Sequence, residues 1–196
     1  MSNWNEVDDI QLLKFAQEGN TEAFGAIYER FADKVYRYLN AHLGNSLDAE
    51  DITEEVFIRV WRSLPDYHER GTPFLSYVFR IARNALIDHY RRERRIGGQL
   101  SSEDVLIADH KPGPGEVVSH QLERQELREA LDGLKDDYRA VLVMRFLSDM
   151  SPEETASAMG RSAGAVRVLQ HRALSALRKK FEKSKGKKDG RKARGD

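Results

Sequence analysis

The most specific spacing in the chain lies in residues 152–173. Pro152 can open a short helix, Ala156 is small enough for two helices to cross, and Gly160 tolerates the positive φ of a tight turn. Ser162 can cap the next helix, and Val166 and Leu169 point back into a core. This pattern serves the helix-turn-helix, whose second helix is offered to the major groove of duplex DNA. At about 100° per residue, Val166, Leu169, Ala173 and Leu177 share one side of that helix. Gly164, Arg167, Val168, His171, Ser175 and Arg178 share the other. Arg167 suits guanine or phosphate, His171 and Ser175 suit either, and the backbone N–H groups at the Ser162 end suit a phosphate. An ordinary helical hairpin with a solvated basic face meets the same spacing.

A second constellation is FLSYVFRIARNALIDHYRRERR at 74–95, where aromatic residues alternate with basic ones and Arg91, Arg92, Arg94 and Arg95 crowd one end. Aromatics that stack on unpaired bases beside arginines that hold phosphates are what capture of single-stranded DNA requires. The competing reading makes Phe74, Tyr77 and Phe79 core and the arginines a solvated helix terminus favoured by its dipole. A third constellation is the outer face of 48–64. There Asp51, Glu55, Arg59 and Arg62 form a charged strip, with Glu54 and Ile58 beside it. An isoleucine in such a strip marks a docking surface, although single exposed apolar residues are normal and Glu55 and Arg59 also form an i, i+4 pair.

Catalytic and metal readings find no support in the pattern. Glu50, Asp51, Glu54 and Glu55 lack a Glu-x-x-His partner, and the six histidines are scattered. There is no cysteine, no phosphate-cradling glycine loop and no G-x-S-x-G elbow. The expectation is a non-enzyme without metal or cofactor.

The elements that must position these groups are helical throughout. Apolar residues recur at helical spacing in Ile10 to Gln17, Thr21 to Leu43, Asp48 to Leu64 and Phe74 to Arg94. Thr21 is placed to cap the second of these helices, and Pro65 ends the third. Ile52, Val56, Phe57, Val60, Trp61 and Leu64 form one stripe, and Leu75, Val78, Ile81, Ala82, Ala85 and Leu86 another. Residues 97–120 break the pattern with paired glycines, two prolines and several acids, a composition that reads as a linker. Helical spacing returns in Leu122 to Leu134, Tyr138 to Leu147, Pro152 to Met159 and Ala163 to Lys180. The tail from Lys183 has no apolar periodicity and reads as disordered.

The chain has 196 residues, with 32 basic and 32 acidic side chains. Their distribution is uneven. Residues 1–96 carry 13 basic and 16 acidic groups, 97–124 carry 2 and 5, and 183–196 carry 7 and 2. A polyanion binder with this balance needs a second anchor. With no run of about 18 apolar residues and no leader-like start, the expected setting is the cytoplasm, without membrane insertion. The expected fold class is all-α, with two small helical domains at 1–96 and 121–182, the 97–120 linker and a basic tail at 183–196.

DAEDITEEVFIRVW at 48–61, the 74–95 segment and the helix-turn-helix, in that order, resemble the bacterial sigma-70 family, and within it the extracytoplasmic-function (ECF, group 4) branch that keeps only regions 2 and 4. The resemblance implies a transcription initiation factor that binds core RNA polymerase, recognises −10 and −35 promoter elements and promotes strand opening. It assigns Asp51, Glu54, Glu55, Ile58 and Arg62 to the β′ clamp helices, and it implies a contact of the second domain with the β flap. Ser63 to Pro73 resembles the loop that receives a base flipped out of the −10 element. Arg80, Arg83, Asn84, Asp88, Arg91 and Arg92 become −10 contacts. Ser162, Gly164, Arg167, Val168, Gln170, His171, Arg172 and Ser175 become −35 contacts, with Gln170 able to pair with adenine if the helix rolls slightly. The linker resembles the segment that threads the polymerase cleft, with Glu103, Asp104, Asp109 and Glu116 in a channel built for nucleic acid. An anti-sigma factor is a further implied partner. Three positions depart from the pattern: Glu54 stands where Gln is frequent, Tyr77 where Trp is usual, and Leu169–Gln170 where a basic residue precedes Leu. Two other classes fit the residues: a ligand-sensing regulator that binds a palindrome as a dimer, and a decoy that resembles the factor without reading DNA.

Overall fold

Asp8 accepts a hydrogen bond from the Gln11 N–H at 2.9 Å and so starts helix α1, Asp9–Gln17. The computed structural model describes residues 4–68, 71–96 and 127–192. Helix α2 spans Thr21–Leu43, and its cap is Asn20, not Thr21. Asn20 has extended backbone angles and its side-chain oxygen accepts from the Ala23 N–H at 3.0 Å, whereas Thr21 already lies inside the helix. Asn45 starts α3, Ser46–Ser63, two residues before the predicted Asp48, because its side chain reaches the Leu47 N–H at 3.0 Å. Pro65 then forces a 3₁₀ turn over Leu64–Asp66. Helix α4 spans Phe74–Ile96.

These four helices bury the predicted stripes. Val35, Val56, Val60, Leu64, Val78, Phe79, Ala82 and Ala85 have no exposed surface, and each fully buried Val, Leu or Phe side chain contributes roughly 1.5–3 kcal/mol. Ile81 is only half-buried. Phe74 and Phe79 are core, while Tyr77 keeps part of its ring exposed.

In the second unit the described part of helix α5 covers residues 127–132. Helix α6, Asp136–Leu142, runs into a π-helical turn, Val143–Leu147, in place of the single regular helix predicted over Tyr138 to Leu147. The Ser148 N–H reaches back five residues to the Val143 carbonyl at 2.9 Å, and Asp149 follows with a positive φ of 52°. Helix α7 covers Pro152–Met159 and α8 covers Ala163–Lys192. Helix α8 therefore runs ten residues into the tail that composition assigns to disorder. Lys, Arg and Glu are good helix formers, and isolated glycines such as Gly186 cost only about 1 kcal/mol each. The predicted linker 97–120 lies outside the described residues. Among the described residues no helix is long and apolar enough to cross a membrane, and no group of His, Asp or Glu is arranged to hold a metal ion.

The two units pack together, α4 against α7 and α2 against the π-helical turn. Two fully buried hydroxyls are satisfied across this contact: Ser76 Oγ donates to the Glu154 carbonyl at 3.1 Å and Ser148 Oγ to the Lys34 carbonyl at 3.0 Å. Arg37 donates to the Leu147 carbonyl at 3.1 Å, and Arg128 donates to the Gly44 carbonyl at 3.2 Å. His42 sits at the same boundary. Its Nδ1 lies 2.7 Å from the Tyr38 carbonyl, and its own carbonyl accepts from the Tyr90 hydroxyl at 2.7 Å.

Burial, reinforced by nearby Arg139, pushes the His42 imidazole down to about 4 despite the hydrogen bond to Tyr38. The unfolded chain, with its histidine near 6.5, thus binds the proton first, and folding stability is lost as pH falls from 6.5 towards 4. The expected loss from this group is roughly 3 kcal/mol. Urea unfolding of wild type and His42→Gln at pH 7 and pH 4 checks it: the variant should lose less stability between the two pH values by that amount.

Candidate nucleic-acid interface

The helix-turn-helix is built by backbone rules at three points. Ser151 and Glu154 form a reciprocal cap on α7, with Ser151 Oγ accepting the Glu154 N–H at 3.1 Å and Glu154 Oε2 accepting the Ser151 N–H at 2.6 Å. The reading that started at Pro152 missed this pair, although the Ser-x-x-Glu spacing announces it. Gly160 adopts φ +64°, and the following Arg161 N–H returns to the Ala156 carbonyl at 2.9 Å. Ser162 Oγ then accepts the Ala165 N–H at 3.2 Å and opens α8.

Because Val166 and Ala173 are fully buried and Leu169 half-buried, the rotation of α8 is fixed. Ser162, Gly164, Arg167, Val168, His171, Arg172, Ser175 and Arg178 all lie on its exposed side, with Val168 51% accessible. Gln170 is the exception. It is half-buried, and its Oε1 accepts from Arg145 Nε at 3.2 Å, so its carboxamide is tied to the π-helical turn. Arg167 makes an exposed ion pair with Glu153 at 3.3 Å, an interaction weak enough to yield to a phosphate.

Helix α4 sorts its polar residues by rotation. Arg80, Asn84 and Arg91 are exposed on one arc. Arg83 turns towards the second unit, where it lines a cavity of about 420 Å³ with Tyr38, His42, Tyr90, Arg94 and Asp136. Asp88 and Arg92 turn towards α3. Arg59 bridges Glu55 at 2.5 Å and Asp88 at 3.3 Å, and Arg92 reaches Glu55 at 3.2 Å. Burial opposes ionisation of Glu55, but the hydrogen bonds from Arg59 and Arg92 outweigh it and hold its carboxyl below the ordinary range. Tyr77 donates its hydroxyl to Ser63 Oγ at 2.6 Å, and its ring lies tilted against that of Tyr67 with centroids 4.7 Å apart.

On the outer side of α3, Asp51, Glu54, Ile58 and Arg62 are exposed, with Ile58 at 51%. Ile58 borders an apolar groove of about 490 Å³ between α2 and α3, which also holds Phe24, Tyr28, Phe57 and Trp61. Sequence reasoning missed Tyr28, which stands four residues from Phe24 at the edge of the α2 stripe. A second apolar groove of about 180 Å³, lined by Leu131, Val143, Phe146 and Leu174 among others, opens on the helix-turn-helix unit. It was not foreseen either, because the π-helical turn that swings Phe146 to 53% exposure has no sequence signature.

Among the described residues both units are helical, and one ends in a helix-turn-helix with an exposed basic face, the form of a DNA-binding module. The signature of Sigma-70 region 2 matches residues 27–96, and that of Sigma-70 region 4 matches residues 124–177. The chain is 33% identical over 170 residues to the ECF RNA polymerase sigma factor BldN of Streptomyces coelicolor, covering 86% of this chain but only 64% of that protein. It is 34% identical to the ECF sigma factor SigD of Mycobacterium tuberculosis, covering 83% of this chain and 79% of the relative. Among solved structures, CnrH in complex with the cytosolic domain of CnrY aligns over 89% of this chain and 97% of its own, with a TM-score of 0.69 and 25% identity. RpoE from Bartonella quintana, solved with the anti-sigma factor NepR, shares the fold with a TM-score of 0.63, 21% identity and 81% and 96% coverage. The chain belongs to the ECF branch of the sigma-70 family.

The caps carry a stability prediction. Ser151→Ala should cost about 1 kcal/mol and Gly160→Val about 1–2 kcal/mol, because valine is strained at positive φ. Gly164 has ordinary helical geometry with open space around it, so Gly164→Ala should instead stabilise by up to about 1 kcal/mol. Urea midpoints of the three variants check both signs.

Proposed function

We propose that this sigma factor reads two promoter elements with separate modules and opens the duplex only when held by core RNA polymerase. In this reading residues 1–96 dock on the polymerase and recognise the −10 element, residues 97–120 connect, and residues 121–182 recognise the −35 element. The basic segment 183–196 begins as the continuation of α8. Asp51, Glu54, Glu55, Ile58 and Arg62 meet the β′ clamp, and the groove beside Phe146 receives the β flap. The observation that carries the reading is the exposed Arg167, Val168, His171 and Ser175 face on a capped helix-turn-helix, in one chain with the charged strip around an exposed Ile58.

Geometry adds a requirement. Elements named for positions −35 and −10 lie about 25 base pairs apart, which at 3.4 Å per pair is roughly 85 Å. Helices α4 and α7 touch, so the two units must separate before both elements are read. Separation would also free Arg83 for DNA. A chain with no net charge neutralises few phosphates, and melting costs about 1.4 kcal/mol per stacked step, so the polymerase must supply the remaining contacts. An anti-sigma factor is a fitting further partner, since CnrH and RpoE were each captured with a partner. The setting is the cytoplasm, where the polymerase works.

Run-off transcription from candidate promoters by core polymerase, with and without the chain, tests this, and specific initiation should require the chain. Ile58→Glu should weaken polymerase binding tenfold or more, roughly what one apolar hot spot contributes. Arg167→Ala should leave polymerase binding intact and reduce −35-dependent initiation by about tenfold. Tight, sequence-specific duplex binding by the isolated chain at physiological salt would overturn the reading, and a stable dimer on a palindrome would replace it with an operator-binding regulator.

A further inference from the structure

The turn that leaves α3 is held by a residue far away in sequence. Gln17, the last residue of α1, is half-buried, and its Nε2 donates to the Leu64 carbonyl at 3.1 Å and to the Tyr67 carbonyl at 2.7 Å. A carboxamide nitrogen has two hydrogens, and here both find backbone oxygens of one turn. Pro65 has no N–H, so the turn can make few bonds of its own beyond the Tyr67 N–H to the Leu64 carbonyl at 3.0 Å.

What Gln17 fixes is the aromatic edge of the segment between α3 and α4. The Tyr67 ring lies 5.2 Å from Phe74 and 4.7 Å from Tyr77, and Tyr77 in turn donates to Ser63 Oγ. Ser63 Oγ donates onward to the Arg59 carbonyl at 2.7 Å. The start and finish of the loop are therefore tied through Tyr67, and Gln17 sets the backbone on which that ring is mounted. Residues matched by the region 2 signature begin at 27, so α1 and Gln17 stand outside it.

We propose that Gln17 is a positioning residue for capture of an unpaired −10 base: it preorders the Leu64 to Tyr67 turn so that the loop meets the base without first having to be organised. This rests on reading the Ser63 to Pro73 loop as the receiver of the flipped base. Seats that are ordered in advance spend less of their binding free energy on loop ordering, so loss of Gln17 affects the melting step and not polymerase docking.

The test uses the full chain with core polymerase on a promoter it initiates from, as duplex and with the −10 region already unpaired. Each template is made intact and with single abasic sites through the −10 element. For Gln17→Leu, open complexes on duplex should fall roughly tenfold with polymerase affinity near wild type, while the unfolding midpoint drops because two hydrogen bonds of the folded chain are lost. The penalty that wild type shows for one abasic position should shrink to below about twofold in the variant, which loss of stability alone does not produce. Gln17→Glu, which keeps the size but offers only acceptors to two carbonyls, should behave the same and serves if the leucine variant unfolds. An abasic penalty as large in the variants as in wild type overturns the role of Gln17. Absence of any abasic penalty in wild type overturns the base-capture reading of the loop instead.

Discussion

Helix α4 packs against α2, α3 and α7, and its rotation is the constraint on which the rest of the structure turns. Leu75, Val78, Ala82, Ala85 and Leu86 occupy the arc that closes the first core. With that arc fixed, the 100° step per residue leaves no freedom for the others. Ser76 and Arg83 fall towards the second unit, Tyr77, Asp88 and Arg92 towards α3, and Arg80, Asn84 and Arg91 towards solvent. The cations of this last arc face solvent, Arg91 at the same time lying 3.9 Å from Asp88.

The charges between α3 and α4 are arranged differently from those on α8. Glu55, Arg59, Asp88 and Arg92 make a connected surface network whose members are each a third or more exposed, so its worth lies in orientation more than in stability. It joins the strip proposed to meet the polymerase to the helix proposed to meet the −10 element. On α8, Arg167 has only Glu153 as a partner among the ion pairs described, and the helix face around it is bare.

Two buried hydroxyls find partners across the contact between the units, whereas Thr155 Oγ1 on α7 is buried without one. Ser76 and Ser148 are inaccessible and hydrogen-bonded across the boundary, and Tyr90 and His42 close the edge. The contact is also apolar, since one buried hydrophobic cluster runs through both units, and the side chain to backbone bonds across it add about 1 kcal/mol each. The proposed separation of the modules on the polymerase would have to overcome that packing, which only a large partner surface can do.

Much of this was legible in the residues. Apolar spacing gave the stripes of α2, α3 and α4, because burial of one helix face is a local periodic demand. The helix-turn-helix was equally plain, since Gly160 and Ser162 answer backbone requirements that are themselves local. Caps were read less well: Asn20, not Thr21, caps α2, and the Ser151–Glu154 cap ahead of Pro152 was not read at all. What sequence alone determined was therefore helix, face and motif. Tertiary structure decided that Phe74 and Phe79 are core while Tyr77 is not, that Gln170 is tied to Arg145, that Arg83 faces the other unit, and that Gln17 reaches the turn at Leu64 and Tyr67. Those outcomes depend on which surfaces meet at distances of tens of residues, and periodicity, which records only a residue's own helix, carries no term for the neighbour it will find.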